Sequence, residues 1–274
     1  PDVRIYRSSE ELLSDKEIEL VIINTPNVTH YEYALKALRA GKHVVVEKPF
    51  TITTKEGESL LRLAEKNKLI LTVYHNRRFD SDFRTMEKVV KSNQLGKIVE
   101  AEFRFDRFRS HPGKKMHKEM PGPGTGNLYD LGSHLIDQAL VLFGWPKKIF
   151  ADIDIFGTES KVENFFDVIL FYDKIRVRLH SSYLVLDTLP ETVLYGTTGS
   201  FIKRKGDVQE ALLSDGAMPG GKDWGADLQH GILKSFRNEK VLEKPIHSQQ
   251  GNYGIFYDKL YQAIRNGKEL PVTA

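Results

Sequence analysis

The chain has 274 residues with 40 basic and 37 acidic side chains, and its net charge of +3 is spread without any dense Lys/Arg block, which argues against nucleic acid or a membrane surface as partner. Absence of cysteine excludes disulfides, thiolate metal sites and a cysteine nucleophile, and fits a reducing cytoplasm. No apolar run approaches the roughly 18–20 residues of a spanning helix, and the length suits two domains better than one core.

Residues 1–95 alternate strand and helix. "VRIY" has the pattern of a short strand, and "SSEELLSD" that of a helix with Ser8 or Ser9 as N-cap and acids in its first turn. "IELVIINTP" (18–26) is expected as a buried strand, and "HYEYALKALRAG" (30–41) as a helix turning Tyr33, Ala34, Ala37 and Leu38 inward and ending at Gly41. "HVVVEKP", the helix "TKEGESLLRLAEKNK" (54–68) and the strand "LILTVYHN" (69–76) follow. Strands separated by helices of this length make βαβ units, hence a parallel sheet covered on both faces. Residues 79–95 then read as a linking helix ending at Gly96.

After Gly96 the pattern changes. "KIVEAEFRFDRF" alternates, with Val99, Ala101, Phe103 and Phe105 on one face and Glu100, Glu102, Arg104 and Asp106 on the other. "KIFADIDIFG", "NFFDVILFYD", "KIRVRLHSSYL", "ETVLYGTTG" and "SFIKR" read as further strands, with helices near the two ends of the segment. The loop 206–225 is the least regular stretch. The fold class is therefore α/β plus α+β: a partial Rossmann-type parallel sheet in residues 1–95, followed in residues 96–274 by a domain with a large, mostly antiparallel sheet.

In an open parallel sheet, ligands bind beyond the carboxyl ends of the strands. Three such ends carry polar or turn-forming groups here: "NTPNVTH", "EKP" and "HNRR". Each alone is an ordinary turn or a surface lysine; their coincidence at one sheet edge favours a site. A second constellation is "GPGTGNLYDLGSHLIDQALVLFG" (122–144), expected to be helical from Asn127 and apolar nearly all round, hence buried. Asp130, His134 and Asp137 recur on it at intervals of four and three, on one stripe. Two readings stay open: Asp130 and His134 satisfy each other in the core, or a carboxylate orients an imidazole that faces a substrate. No second cluster with ligand spacing completes a metal site, and neither a P-loop nor a G-x-S-x-G elbow is present.

"NTPNVTH", "AGKHVVVEKPF" and "GTGNLYDLGSHLIDQ" resemble, in order and spacing, the Gfo/Idh/MocA family of nicotinamide-dependent dehydrogenases, and "YHNRRFDSDF" resembles its NADP-dependent scyllo-inositol dehydrogenase subgroup. The resemblance implies an NAD- or NADP-dependent oxidoreductase acting on a secondary alcohol of a polyol, inositol or sugar. Lys48 would stabilise the alkoxide-like oxygen as hydride moves, with Glu47 and Pro49 positioning it and a cis Lys48–Pro49 bond. His134 would be the general acid/base and Asp130 its orienter or a substrate ligand; Asp137 is the least defined of the set. Thr25, Pro26, Asn27 and His30 would line the cofactor's pyrophosphate and ribose, and Asn76 and Arg77 its nicotinamide end.

The family pattern begins with a strand, a G-x-G-x-x-G turn, a helix and a second strand that this chain lacks, an expected shortfall of roughly 60–70 residues at about 30 per βα unit. The residue that separates NAD from NADP would go with them. By resemblance the protein is expected to be a cytoplasmic homodimer or homotetramer. A non-catalytic ligand sensor, or a reductase of another substrate on the same fold, is the alternative.

Overall fold

The computed structural model describes residues 3–109, 111, 119–157 and 159–274. They fall into two compact units, bounded by Pro1–His75, Gly122–Gly124 and Asp258–Ala274 for the first and by Asn76–Pro121 and Thr125–Tyr257 for the second.

The first unit holds a parallel sheet in the order β1 (Leu20–Ile23), β2 (His43–Val46), β3 (Leu71–Val73). Leu20 lies opposite His43 and Val44 opposite Leu71. Val44, Val45 and Val46 are all fully buried, as a strand covered on both faces requires. Ala34, Ala37 and Leu38 of α2 (His30–Arg39) and Leu60 and Ala64 of α3 (Thr54–Lys66) supply the cover. A capping box starts α3: Glu56 N–H donates to Thr53 Oγ1 at 3.3 Å, and Thr53 N–H to Glu56 Oε2 at 3.0 Å. Gly41, at φ +76°, turns the chain from α2 into β2. Buried Lys42 follows it and donates to the carbonyls of Asp15 and Ile18 at 2.7 and 2.8 Å, fixing the segment after α1 (Ser9–Ser14), whose N-cap is Ser8. The chain beyond, Asp258–Ala274, is tied to β3 by Thr72 Oγ1 donating to Val272 O at 2.6 Å.

"VRIY" is not a strand. Val3 and Ile5 are 78% and 85% exposed, so their alternation finds no sheet to pack on. Arg4 and Tyr6 are instead bonded to Asp15 beyond α1.

The second unit is built on an eight-stranded sheet. Its strands are β4 (Ile98–Arg104), β5 (Lys148–Asp154), β6 (Phe165–Phe171), β7 (Arg176–Ser182), β8 (Thr192–Gly196), β9 (Gly199–Lys203), β10 (Gly231–Arg237) and β11 (Lys240–Ile246), in the spatial order 11-10-9-8-4-7-6-5. All pairs are antiparallel except β4 with β7. Phe83, Met86 and Val89 of α4 (Ser81–Lys91) and Leu135 and Ala139 of α5 (Ser133–Phe143) join Phe103, Phe166, Leu179, Leu194, Phe201 and Leu233 of the sheet in one core.

Three details depart from the sequence reading. A bulge between Ile98 and Glu100 shifts the start of β4, so Ile98 packs on the core and Val99 is 42% exposed. The β10–β11 hairpin closes through Asn238 and Glu239, at φ 49° and 61°, the two positive values of a tight hairpin turn. Within 206–225 lies a short helix, α6 (Gln209–Ser214). It is held by buried Gln209, whose Nε2 donates to Asp207 at 2.9 Å and whose Oε1 accepts from Tyr253 N–H at 2.8 Å. The chain ends on α7 (Gly254–Asn266) and a short tail.

Candidate active site

In the first unit the candidate residues gather where β1 and β2 end. Thr25 and Pro26 are exposed and Asn27 half-buried just beyond β1. Glu47, Lys48 and Pro49 follow β2, with Glu47 N–H donating to Ile23 O at 3.0 Å and Lys48 N–H to Glu47 Oε2 at 3.2 Å. The Lys48–Pro49 peptide is cis. His30, the first residue of α2, is fully buried under both loops. Its Nδ1 lies 2.9 Å from Pro49 O and its Nε2 3.0 Å from Thr25 O. The ring therefore braces the loop after β1 against the loop after β2 from beneath, and its tautomer decides to which carbonyl it donates. Asn27 Nδ2 donates to Gly124 O at 2.8 Å. Gly124, at φ +74°, has Ile52 where a Cβ would stand, so only glycine lets this segment lie against the loop.

In the second unit, Asn76 and Arg77 open a single 3₁₀ turn, Asn76–Phe79, that leads into α4. Arg77 is 6% exposed and committed to ion pairs: Nη1 with Asp80 Oδ2 at 3.0 Å, and Nη2 with Glu210. Burial works against its charge, and Asp80 with Glu210 more than reverses that, holding the guanidinium above its usual range. Asp80 also accepts from Tyr253 Oη at 2.8 Å and has Lys205 Nζ at 3.6 Å. The Phe105 ring is approached by three cations: Lys205 Nζ at 4.1 Å from its centroid, and the Arg77 and Arg107 guanidinium carbons at 5.0 Å each.

The helix expected from Asn127 begins instead as a single π turn, Leu128–Gly132, before α5 continues it; such turns recur at functional sites. Its start is fixed by buried Asn127, whose Nδ2 donates to Ser181 Oγ at 3.0 Å. Gly132 faces the Phe166 ring, with a Cβ there 3.3 Å from its edge, which accounts for a glycine in mid-helix. Asp130 lies in the π turn and His134 at the start of α5, where the imidazole is 4% exposed. The Asp130 carboxylate is close enough to Arg107 and Tyr183 to act on both. Burial first, and Asp130 second, push the Tyr183 hydroxyl up to about 12, so it stays a proton donor. Arg109 stacks on the same ring, 4.2 Å from its centroid.

Asp137 serves a different purpose. Arg78 Nε and Nη2 donate to its two oxygens at 2.8 and 2.6 Å, a bidentate pair that joins α5 to the turn before α4. Among the described residues no group of three or more potential metal ligands is gathered. Arg107, Tyr183 and Lys205 are brought to this region by the sheet, just beyond β4, β7 and β9, Glu210 comes from α6, and Asp82 follows Arg77 at the start of α4. The aromatic–arginine alternation of "FRFDRFR" (103–109) is the one local hint of them.

Among the described residues no helix is long and apolar enough to cross a membrane. Residues 1–75 match the oxidoreductase family with an NAD-binding Rossmann fold, and residues 83–202 match the GFO/IDH/MocA C-terminal domain. The chain is 39% identical to scyllo-inositol 2-dehydrogenase (NADP(+)) IolW of Bacillus subtilis over 276 aligned residues, covering all of this chain and 77% of that one. A crystal structure of an oxidoreductase from Bacillus cereus superposes with a TM-score of 0.90 at 39% identity, covering 98% of this chain and 77% of the other. An NAD-binding protein from Listeria innocua does so with 0.82 at 25% identity, over 99% and 76%. With both family domains matched in order, the chain belongs to the Gfo/Idh/MocA family of oxidoreductases, whose cofactor is NAD or NADP.

Proposed function

We propose that this protein transfers hydride between NAD or NADP and a secondary alcohol, or the matching ketone, of a polyol, inositol or sugar. Residues 1–95 would hold the dinucleotide and residues 96–274 the substrate, in a homodimer or homotetramer. The observation that carries the reading is the fixing of Lys48 just beyond β2, on a loop that buried His30 joins to the Thr25 loop. A cation held at the carboxyl end of a parallel strand suits an oxygen that gains negative charge. The sugar-like substrate class is supported by the kinship to a relative named as a scyllo-inositol dehydrogenase.

A dinucleotide site in the first unit is supported by Asn24, Thr25 and Pro26, which are exposed beyond β1, where such ligands bind. Thr25, Pro26 and Asn27 would line it, with Glu47 and Lys48 at the next strand end and Asn76 and Arg77 completing the set. The bound nicotinamide supplies or accepts the hydride. His134 takes the hydroxyl proton on an imidazole nitrogen in the oxidative direction and returns it in reduction. Asp130 orients substrate or imidazole, beside the fixed donors Arg107 and Tyr183. Lys48 holds its ammonium against the developing alkoxide.

The test follows nicotinamide absorbance with NAD⁺ and NADP⁺ across inositols, sugars and sugar acids. Lys48→Ala is expected to lower kcat by about 10²-fold or more, the scale of one lost oxyanion donor, while nicotinamide binding by fluorescence stays within a few-fold. Unchanged turnover in that variant would remove Lys48 from the mechanism.

A further inference from the structure

Behind His134 the second unit contains a small chamber of about 30 Å³, walled in part by Arg77, Asp82, Gln138, Thr192 and Lys205 as well as by His134 itself. That is room for one or two waters, and the lining is polar enough to hold them. Arg77 supplies a direct demand: its Nε is buried and has no hydrogen-bond partner in the protein, although both terminal nitrogens are paired. A guanidinium N–H sealed without an acceptor is costly, and an ordered water is its ordinary solution.

We propose that this chamber holds ordered water through which the His134 imidazole exchanges its proton with the Asp82 carboxyl. Asp82 is then a positioning and proton-storing residue one step behind the acid/base group. The inference rests on the acid/base role proposed for His134. In the oxidative direction His134 takes the hydroxyl proton, while a bound nicotinamide would accept the hydride. The imidazolium passes its proton to the water, and the water passes one of its own to the Asp82 carboxylate. One proton then leaves to solvent per turnover, and reduction runs the same transfers backwards.

The electrostatics suit such a step. Burial first, and Asp80 second, push the Asp82 carboxyl up to about 6, with Asp207 adding to them and Lys205 and Lys203 opposing. A carboxyl raised to that range can take up and release a proton near neutral pH, as a proton store behind an acid/base group requires. The other charges facing the chamber are Arg77 and Asp80 from the turn before α4, Arg104 from β4 and Glu191 from the segment before β8. Asp130 and Asp137 lie on the same helical stretch as His134. The competing reading makes Asp82 one more member of a buried ion cluster, acting on His134 by charge alone.

NMR of the full chain with labelled histidine separates the two by the exchange rate of the His134 ring N–H with solvent, a readout that needs no turnover. Asp82→Asn and Thr192→Ile are compared, the second filling the chamber without altering any charge. Both are expected to slow exchange about tenfold or more, comparable with the loss of a proton-transfer partner, and Asp82→Glu is expected to restore it. If Asp82→Asn shifts the His134 titration but leaves exchange unchanged, or if Thr192→Ile has no effect, the relay is wrong and Asp82 is a charge only. Turnover measured in parallel tells the two ideas apart: intact dehydrogenase activity with unaltered exchange removes the relay alone. Water-dependent exchange in a chain that turns over no alcohol removes the dehydrogenase reading instead.

Discussion

Lys203→Met would delete half of an ion pair whose two side chains have no solvent exposure at all. Lys203 Nζ lies 2.7 Å from Asp227 Oδ2 and also donates to the carbonyls of Arg204 and Gln229. Asp227 accepts from Ser81 Oγ at 2.9 Å and from Gln229 N–H at 2.8 Å, so the pair anchors the first turn of α4, next to Asp82. Breaking a buried pair from one side costs about 3–5 kcal/mol. The two neutral donors left on the carboxylate offset about 1 kcal/mol of that, leaving roughly 2–4 kcal/mol, or about 4–16 °C in Tm for a unit of this size. The acid dependence has a definite sign. Burial alone would raise the Asp227 carboxyl, but Lys203, Gln229 and Ser81 outweigh it and hold it below its ordinary value. Such a group contributes stability above its unfolded pKa, about 3.9, and loses it as pH falls through the lower folded value. Thermal unfolding by near-ultraviolet circular dichroism should therefore show the full deficit at neutral pH and a shrinking one below about pH 4. The double variant with Asp227→Leu should recover most of it. A Tm within about 2 °C of the parent, or a deficit that persists undiminished in acid, would refute the reasoning.

Two further outcomes are expected. Gly132→Ala gains about 1 kcal/mol of helix propensity, yet its Cβ would meet Leu128 Cδ1 at 2.7 Å and the Phe166 ring at 3.3 Å; overpacking of about 1–3 kcal/mol should make the variant net less stable in urea, and a stabilised one would show that the π turn yields freely. Asp82, whose folded carboxyl is raised to about 6, favours the protonated folded state, so its contribution to stability falls as pH rises from about 4 to 6. Asp82→Asn should then stabilise the chain at neutral pH but hardly at pH 4, and equal urea midpoints for variant and parent at neutral pH would contradict that burial.

The parallel sheet was legible because its signals are local. Three consecutive valines bounded by Gly41 and Pro49, and helices whose alanines and leucines share a face, need nothing from the rest of the chain to be read. Along β4 the alternation marked Ala101 and Phe103 correctly but misassigned Val99, since a bulge displaces every side chain before it by one position while leaving the letters unchanged. "VRIY" failed for the opposite reason, a strand pattern without a neighbour. The hairpin "GILKSFRNEKVLEKPI" was hidden by its charges and by Pro245, features of an edge strand, which β11 is. At the candidate site the motif residues were visible as letters, but their surroundings were not. Asp137 looks like a companion of His134 in sequence and is the partner of Arg78 in space. The partners of Arg77 lie three and 133 positions away, and no spacing rule reaches the second.

β4 governs the order in which the second unit can assemble. Strands β5, β6 and β7 pair in the order they are made, and so do β8, β9, β10 and β11. Each set can zip from turns of short sequence separation, without waiting for the other. β7 and β8 are consecutive in the chain yet never touch as strands, because β4, made long before either, lies between them and bonds to both. The two ribbons become one sheet only when this early strand is captured on each side, at the expense of closing loops of some 70 to 100 residues, which grows slowly with length but must be met before the contacts repay it. Everything that hangs on the continuity of the sheet, including the wall behind His134, is thus expected to be among the last parts of the second unit to form.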